Sequence, residues 1–472
     1  MRKLMFAGVA AAALIAPYAI HAQETTSAIR GTVTANGEPV SGATVTAIDT
    51  RTGTRSSSTT DASGVFNFSG LTAGGPYTVE VTGPAGSQTV TDIYTVVQQP
   101  FELPIDLSAS ADDSNVIVVT ASAIRGAGTK SDGPQTVLGE RDIAKVASVN
   151  RDIRDVQRRD PFANLDLSNS GDRGGAVSFA GVNPRYNRFT INGVTVGDTF
   201  GLNQDASPNI RGPVPLDALA QVSTSIAPYD FLQSGFQGGA IDTVLKSGTN
   251  RFEGTAFYSQ NTDGLSGDEI GAVTIVTPDF KSETYGATIS GPIIPNTLFF
   301  MISGERNTDP RPYSTQIASF ANPALVERAI TDVTAIATSK ALEPGGILTI
   351  NNRRDEKVVG KLDWFINDDH RLALSYINSY NVQGSPNNTS TSATSPSYGL
   401  ESNAYALSEL LRAGILQLNS DWSDNLSTEA RLIYRWTRRG QEPFLGRPHG
   451  QFSVCSDATN NAGNPAQPSA TG

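Results

Sequence analysis

Cysteine is almost absent: Cys455 is the only one in 472 residues, which excludes an intramolecular disulfide and any metal site built from several thiolates. It reads as an incidental loop thiol. Histidine is nearly as scarce, limited to His21, His370 and His449, and no acidic ligand follows within His370-Arg371-Leu372-Ala373 or His449-Gly450-Gln451-Phe452. Zinc hydrolysis needs closely spaced His and Glu ligands, and motifs of the G-x-S-x-G or G-x-x-x-x-G-K type are missing as well. No metal site, no cofactor and no enzyme activity are expected. Positive charge is in deficit, 35 Lys plus Arg against 46 Asp plus Glu for a net charge of -11, which argues against a nucleic-acid partner.

Long apolar runs are confined to the N-terminus. Residues 1–22 open with Arg2 and Lys3, continue through an Ala-rich apolar stretch and finish near Ala22, the pattern of a cleaved secretory signal peptide. Nothing downstream approaches the roughly 18–20 apolar residues of a spanning helix, so any membrane crossing must be made by strands. Glycine, by contrast, is plentiful. With 45 Gly, 17% charged and 7% aromatic residues, the chain suits turn-rich, mainly β structure with helix in the minority.

Residues 25–108 alternate strand-like runs (IRGTVTA, ATVTAID, GVFNFSGL, YTVEVTG, FELPIDL) with turn signals such as Asn36-Gly37 and Ser63-Gly64, which predicts a β-sandwich. Val33, Val40, Val45, Phe66, Phe68, Leu71, Tyr77, Val79 and Val81 are its candidate core. The order of these runs resembles the carboxypeptidase regulatory-like domain, a small transthyretin-like sandwich. Residues 109–132 form a polar linker around an uninterrupted β-branched run, Val116-Ile117-Val118-Val119-Thr120-Ala121. Such a run behaves as a strand with no sheet of its own, able to add to the exposed edge of another protein. Read alone, it also suits the last strand of the preceding sandwich.

Residues 133–250 look mixed. Glu140 to Ala147, Arg151 to Arg159 and Pro215 to Val222 read as helices, while SFAGV and RFTINGVTV read as strands around the loop Asn183 to Asn187. Arg151, Arg154, Arg158 and Arg159 lie among Asp152, Asp155 and Asp160, which suits a solvated helix face, with contact to charges of a surrounding wall as the alternative. The polar stretch from Asp198 to Pro215 is too long for a turn and reads as a functional loop.

From Arg251 the pattern becomes dyadic. In KVVGKLDWFINDDHRLALSYINSY, Val359, Leu362, Trp364 and Ile366, then Leu372, Leu374 and Tyr376, mark two strands of a hairpin. RFEGTAFYSQ, ETYGATISG, LFFMISGER, AGILQLNSDW and STEARLIYRW are further strands, and 310–351 and 384–403 are long loops between them. Tyr258, Trp364, Tyr376, Trp422 and Trp436 suit either interfacial girdles or core packing.

The segment GGAIDTVLKSGTNRFEGTAFY, Gly238 to Tyr258, joins these two architectures and resembles the end of the plug and the first barrel strand of TonB-dependent outer-membrane receptors. Phe179 to Val182 and Asn187 to Val194 stand where that family has its R-G-x and R-x-x-x-x-x-D-G-V strands, with Ala180 for the usual Arg and Asn192 for the usual Asp. These departures point to an Oar-like branch. The resemblance implies a mainly β chain: an N-terminal β-sandwich, an α+β plug domain, and the first strands of an antiparallel transmembrane β-barrel at 251–472. Seven or eight strands are visible against about 22 in the family's barrel, so an N-terminal fragment of a longer protein is expected.

The same resemblance makes Val116 to Ala121 a TonB box, with TonB and its inner-membrane energising complex as partners. It places the barrel in outer-membrane lipid and the sandwich in the periplasm of a Gram-negative bacterium. It implies uptake of an unknown extracellular solute, with Arg185, Tyr186 and Asn203 as loop residues positioned to meet it. A cell-envelope β protein acting in adhesion or surface assembly is the alternative.

Overall fold

The computed structural model describes residues 26–446 apart from 98, 108–116, 130–132, 167–174, 204, 228–234, 266, 268, 271–272, 275–278, 314–316, 388, 391–396 and 424–425. The leader, Val116 and Cys455 lie outside the described residues. Alternation of β-branched and polar residues gives the first unit its strands: β1 (Ser27–Ala35), β2 (Glu38–Pro39), β3 (Thr44–Asp49), β4 (Arg55–Thr59), β5 (Val65–Leu71), β6 (Gly74–Gly83), β7 (Gly86–Thr95) and β8 (Pro100–Asp106). β1 pairs with β2, with β5 and, in parallel, with β8; the facing sheet runs β4-β3-β6-β7. Ile29, Phe66, Phe68, Leu71, Val79, Val81, Ile93 and Leu103 fill the space between the two sheets. All but one of the candidate core residues are buried, the half-buried Val40 being the exception. Burial pushes the Tyr77 phenol pKa up, with Asp49 adding to it, so the hydroxyl stays a donor to the Thr72 carbonyl at 2.7 Å.

The linker run finds its neighbour at home, which corrects the expectation of a strand without a sheet. β9 (Ile117–Thr120) lies parallel to β7, with Gln88↔Ile117 through Thr91↔Thr120 in register. β10 (Gly128–Thr129) then pairs with β8 of the other sheet. A β-branched run gains ladder hydrogen bonds wherever an edge is free, and the edge of β7 is the nearest one.

The second unit is α+β. β11 (Gln135–Gly139), β16 (Leu219–Ser225), β17 (Ala240–Leu245), β14 (Arg188–Ile191) and β15 (Val194–Thr195) make one sheet in that order, while β12 (Ala163–Asp166) and β13 (Ala176–Phe179) form a separate hairpin. Asn192 and Gly193 both have positive φ, 44° and 69°, the turn that an Asn-Gly pair favours between β14 and β15. α1 (Glu140–Ala144) and α2 (Ile153–Gln157) are shorter than expected, and α2 is capped by the Asp152 carboxylate, which accepts from the Arg154 amide at 2.9 Å. The helix expected over Pro215 to Val222 is instead a single 3-10 turn, Leu216–Ala218, leading into β16. Val222 and Thr224 belong to the β-branched class that suits a strand, and pairing with β17 decides the matter.

The third unit is a seven-stranded antiparallel sheet in the order β18 (Glu253–Thr262), β21 (Lys281–Ile294), β22 (Leu298–Pro312), β23 (Ile350–Phe365), β24 (His370–Ser385), β25 (Tyr405–Ser423) and β26 (Leu426–Pro443). A small hairpin, β19 (Glu269–Ile270) with β20 (Val273–Thr274), stands beside it. The connections are asymmetric. Residues 295–297 and 366–369 are tight turns at one end, whereas 313–349, which contain α3 (Pro323–Ser339), and 386–404 are long connections at the other. We call these the turn end and the loop end. Among the described residues no helix is long and apolar enough to cross a membrane, which says nothing about the strands.

Candidate functional site

The seven-stranded sheet is polar inside and apolar outside. On β23, Asp355, Lys357, Lys361 and Asp363 are buried against the α+β unit, while Val358, Leu362 and Trp364 between them are exposed. Register carries the outer stripe across neighbours: Leu362 faces Leu374, Leu374 faces Leu416, and Leu416 faces Leu432. A water-soluble sheet would invert this arrangement, whereas a strand facing lipid on one side and a filled lumen on the other requires it. Val359 belongs to the inner set, not with Leu362 and Trp364 as expected; it joins Met301 and Ile377 in the core shared with Phe189, Leu216, Leu219 and Ile241 of the α+β unit.

Charge holds the α+β unit against this wall. Arg151 donates from Nε to Glu305 of β22 at 2.8 Å and pairs with Asp217 at 2.9 Å, with its guanidinium over the Phe257 ring of β18. Lys357, with no exposed surface, lies 3.7 Å from Glu305 and 3.3 Å from Asp355. Arg151 thus takes the wall-contact alternative. Arg154 is buried as well: it pairs with Asp152 and donates to the Gly175 and Ile210 carbonyls, so it locks plug segments together and is no part of a solvated face. Arg158, half-exposed beside Asp155, and the exposed Arg159 keep that description. A cavity of about 90 Å³ lies alongside, lined by Asn150, Asp152, Arg154, Arg211, Asp309 and Arg354 among others. Among the described residues no group of three or more His, Cys, Asp or Glu is placed to hold a metal.

The three candidate solute contacts separate. Arg185 and Tyr186 sit on an exposed 3-10 turn, Pro184–Tyr186, capped by the Asn183 side chain. The turn precedes β14, and β14 runs parallel to β17, whose far end leads toward the turn end, so both residues stand on the loop-end side of the plug sheet. Asn203 is only 1% exposed, and its amide is committed: Nδ2 donates to Glu409 of β25 and to the Ser207 carbonyl, each at 2.8 Å, while Oδ1 accepts from Arg439 of β26. It is a wall joint and not a free loop contact, which removes it from the candidate set. Glu305 and Lys357 were missed in the sequence, since Glu305 stands 154 positions from Arg151.

Comparisons with known proteins add to this geometry. Residues 28–108 match the carboxypeptidase regulatory-like domain, and residues 244–345 match the outer membrane beta barrel domain. The TonB-dependent transporter Oar of Myxococcus xanthus is 25% identical over 224 residues, 45% of this chain and 19% of that protein. Over those residues the chain is a homologue of that transporter. Solved structures similar to it include the ferric enterobactin receptor PfeA of Pseudomonas aeruginosa, at 18% identity and a TM-score of 0.45 over 66% of this chain and 41% of that one. The outer membrane transporter YddB of Escherichia coli is another, at 14% identity and a TM-score of 0.44 over 65% and 39%. The match to Oar covers well under two thirds of that relative's length.

The junction motif Lys246-Ser247-Gly248-Thr249-Asn250 ties all three units together at the turn end. Lys246 pairs with Glu140 at 2.8 Å, and Ser247 Oγ accepts from Lys361 Nζ of β23 at 2.7 Å. The Asn250 amide N–H donates to the Arg51 carbonyl at 3.0 Å, and its side chain donates to the Thr52 carbonyl and to Asn296 Oδ1 in the turn between β21 and β22. Arg371, at the start of β24, donates to the Gly70 carbonyl at 2.7 Å and to Ser56 Oγ of the sandwich. Gln221 of the plug accepts from the Val97 amide at 3.0 Å. The sandwich is therefore docked on both the plug and the wall. Because charge-assisted bonds contribute about 1.5–3 kcal/mol each, Arg371→Ala is expected to loosen this docking by a few kcal/mol. Hydrogen exchange at residues 51–56 and 68–72 should accelerate several-fold in the variant; unchanged protection would mean that Arg371 does not hold the sandwich.

The box candidates are placed as follows. Val118 is 64% exposed and Thr120 is exposed, Val119 is half-buried, and Ala121 is buried at 5% in a 3-10 turn. Ile117 supplies backbone to β9.

Proposed function

We propose that this chain contributes to a TonB-dependent outer-membrane receptor for energised uptake of a scarce solute. The observation that carries the reading is the inside-out sheet with a plug held to its polar face by the Arg151–Glu305–Lys357–Asp355 cluster. On this reading the loop end faces outward and the turn end, with the sandwich, faces the periplasm, consistent with short periplasmic turns and longer extracellular loops. Arg185 and Tyr186 are then the exposed plug residues on the side where solute arrives. Ile117 to Ala121 offers a periplasmic strand to TonB, and force applied there shifts the plug relative to the wall. The solute itself is not specified by any residue on this surface.

Val118→Pro removes a backbone donor from the strand and is expected to weaken binding of the periplasmic domain of the cognate TonB by about tenfold or more. Binding measured on the purified receptor in detergent decides this. If the variant binds as well as the parent protein, the box assignment fails. If the protein promotes surface adhesion that persists when the proton gradient is dissipated, the envelope-adhesion account replaces transport.

A further inference from the structure

The outward face of the seven-stranded sheet changes chemistry along its length. On the turn-end side it is apolar, with Ile289, Ile302, Leu362, Leu374, Leu416 and Leu432 exposed. Toward the loop end Tyr285, Tyr376, Tyr434 and Trp436 follow, and with them come the exposed arginines Arg306 of β22, Arg354 of β23, Arg412 of β25 and Arg438 of β26. Register sorts these arginines into two diagonal pairs. Arg306 faces Glu356 with Arg354 two positions further on, and Arg412 faces Trp436 with Arg438 two positions further on, so the members of each pair lie roughly 7–8 Å apart across adjacent strands. The pairs stand three strands apart, roughly 14 Å.

The slant of the sheet brings the two pairs level. The turn between β21 and β22 follows the register row of Leu298, Trp364, Leu372 and Leu418, whereas β25 runs on to Ser423 before turning. With the turns at one level, rows climb toward the loop end from β22 to β26, and the Arg412 pair, one row nearer the turn end in register, rises to the height of the Arg306 pair. Positive charge is in excess there. Arg306 and Arg354 share one carboxylate, Glu356, at 3.5 and 3.6 Å, and Arg438 pairs with Glu442 at 3.1 Å. Among the described residues Arg412 meets neutral groups, Asn378 Oδ1 at 3.0 Å and the Trp436 ring at 5.4 Å. An arginine at the margin of an apolar band is tolerated where its head reaches the membrane surface.

We propose that the two arginine pairs hold the headgroup of one lipid that carries two phosphates, one phosphate to each pair, in the leaflet at the loop end. This rests on the outward orientation of the loop end given above. The guanidinium fork matches phosphate oxygens bidentately, which suits arginine to this task. The rival account is a solvated charged rim whose exposed ion pairs contribute little and take no lipid.

The test uses the full receptor in neutral detergent, with binding of bisphosphoryl lipid A, monophosphoryl lipid A and phosphatidylethanolamine read by native mass spectrometry and by the shift in thermal unfolding. Bisphosphoryl lipid A is expected to bind about tenfold or more tightly than the monophosphoryl form, and phosphatidylethanolamine more weakly still. The double variant Arg306→Gln, Arg412→Gln, with one change in each pair, should lose about tenfold or more, while Arg328→Gln on the exposed face of α3 binds as the parent does. Equal binding of the two lipid A forms, or an unaffected double variant, would overturn the two-phosphate site in favour of the solvated rim. Orientation is read separately, by labelling Ala335→Cys on α3 in a Cys455→Ser background on intact cells with a membrane-impermeant maleimide. Labelling is expected. Its absence would overturn the outward placement of the loop end, whereas labelling together with equal lipid binding would overturn the lipid site alone.

Discussion

Lys357→Met is expected to destabilise the seat of the plug by about 3–5 kcal/mol, because removing one member of a buried ionic cluster leaves the others desolvated and uncompensated. Lys357 has no exposed surface and stands between Glu305 of β22 and Asp355 of its own strand. Without it, Asp355 loses the ion-pair partner on its own strand and Glu305 depends on Arg151 alone. The loss falls at the joint between plug and wall, so the plug should loosen before the strands separate. Two readings check this: a lower urea midpoint for exposure of plug residues around Arg151, and increased sensitivity of cells to a large polar antibiotic normally excluded by a closed lumen. A urea midpoint equal to that of the parent protein would show that the cluster is incidental to seating.

The architecture was legible where residues report their own surroundings. Alternation along 350–385 reveals two long strands, because an exposed outer face and an inner face packed on the α+β unit impose a period of two. Its phase was less legible. Val358 and Val359 are adjacent and both apolar, and only the inward set Asp355, Lys357, Lys361 and Asp363 shows that Val359 faces the plug. Reading the charges before the apolar residues would have found the wall side of the ionic cluster. On the other side, wall contact was open to all four arginines, but nothing near Arg151 in sequence distinguishes it from Arg158, and the partners of Arg154 at Gly175 and Ile210 lie 21 and 56 positions away. Asn203 was chosen because it lies in a loop, but a loop packed against two strands buries its polar groups and must satisfy them internally. The box run shows the same limit from the other side. Its strand character is local, but whether its neighbour is the sandwich or another protein depends on which edge is free.

The junction motif supplies the second large effect, since the chain passes from plug to wall through a space that admits no side chain. A Cβ on Gly248 would lie 2.5 Å from the Phe300 carbonyl oxygen and 2.7 Å from that of Gly291. These two residues are register partners on β22 and β21, so the obstacle is paired backbone and no rotamer change relieves it. Gly291 cannot shift freely either, because the Phe252 ring already occupies the place of its own missing side chain. Gly248→Ala is therefore expected to cost at least the 1–3 kcal/mol or so of ordinary overpacking, and Gly248→Val considerably more. Gly360→Ala is the matched control, because a Cβ there meets nothing within 4 Å and the residue lies on the outward face of β23. After refolding into detergent, the heat-modifiable folded form should fall sharply for Gly248→Ala, vanish for Gly248→Val and persist for Gly360→Ala. Equal yields for the two alanine variants would mean that the crossing tolerates a side chain and that Gly248 is there for flexibility instead. A collapse confined to Gly248 would place the requirement at the crossing itself, where Ser247 and Asn250 on either side bind the wall and the sandwich.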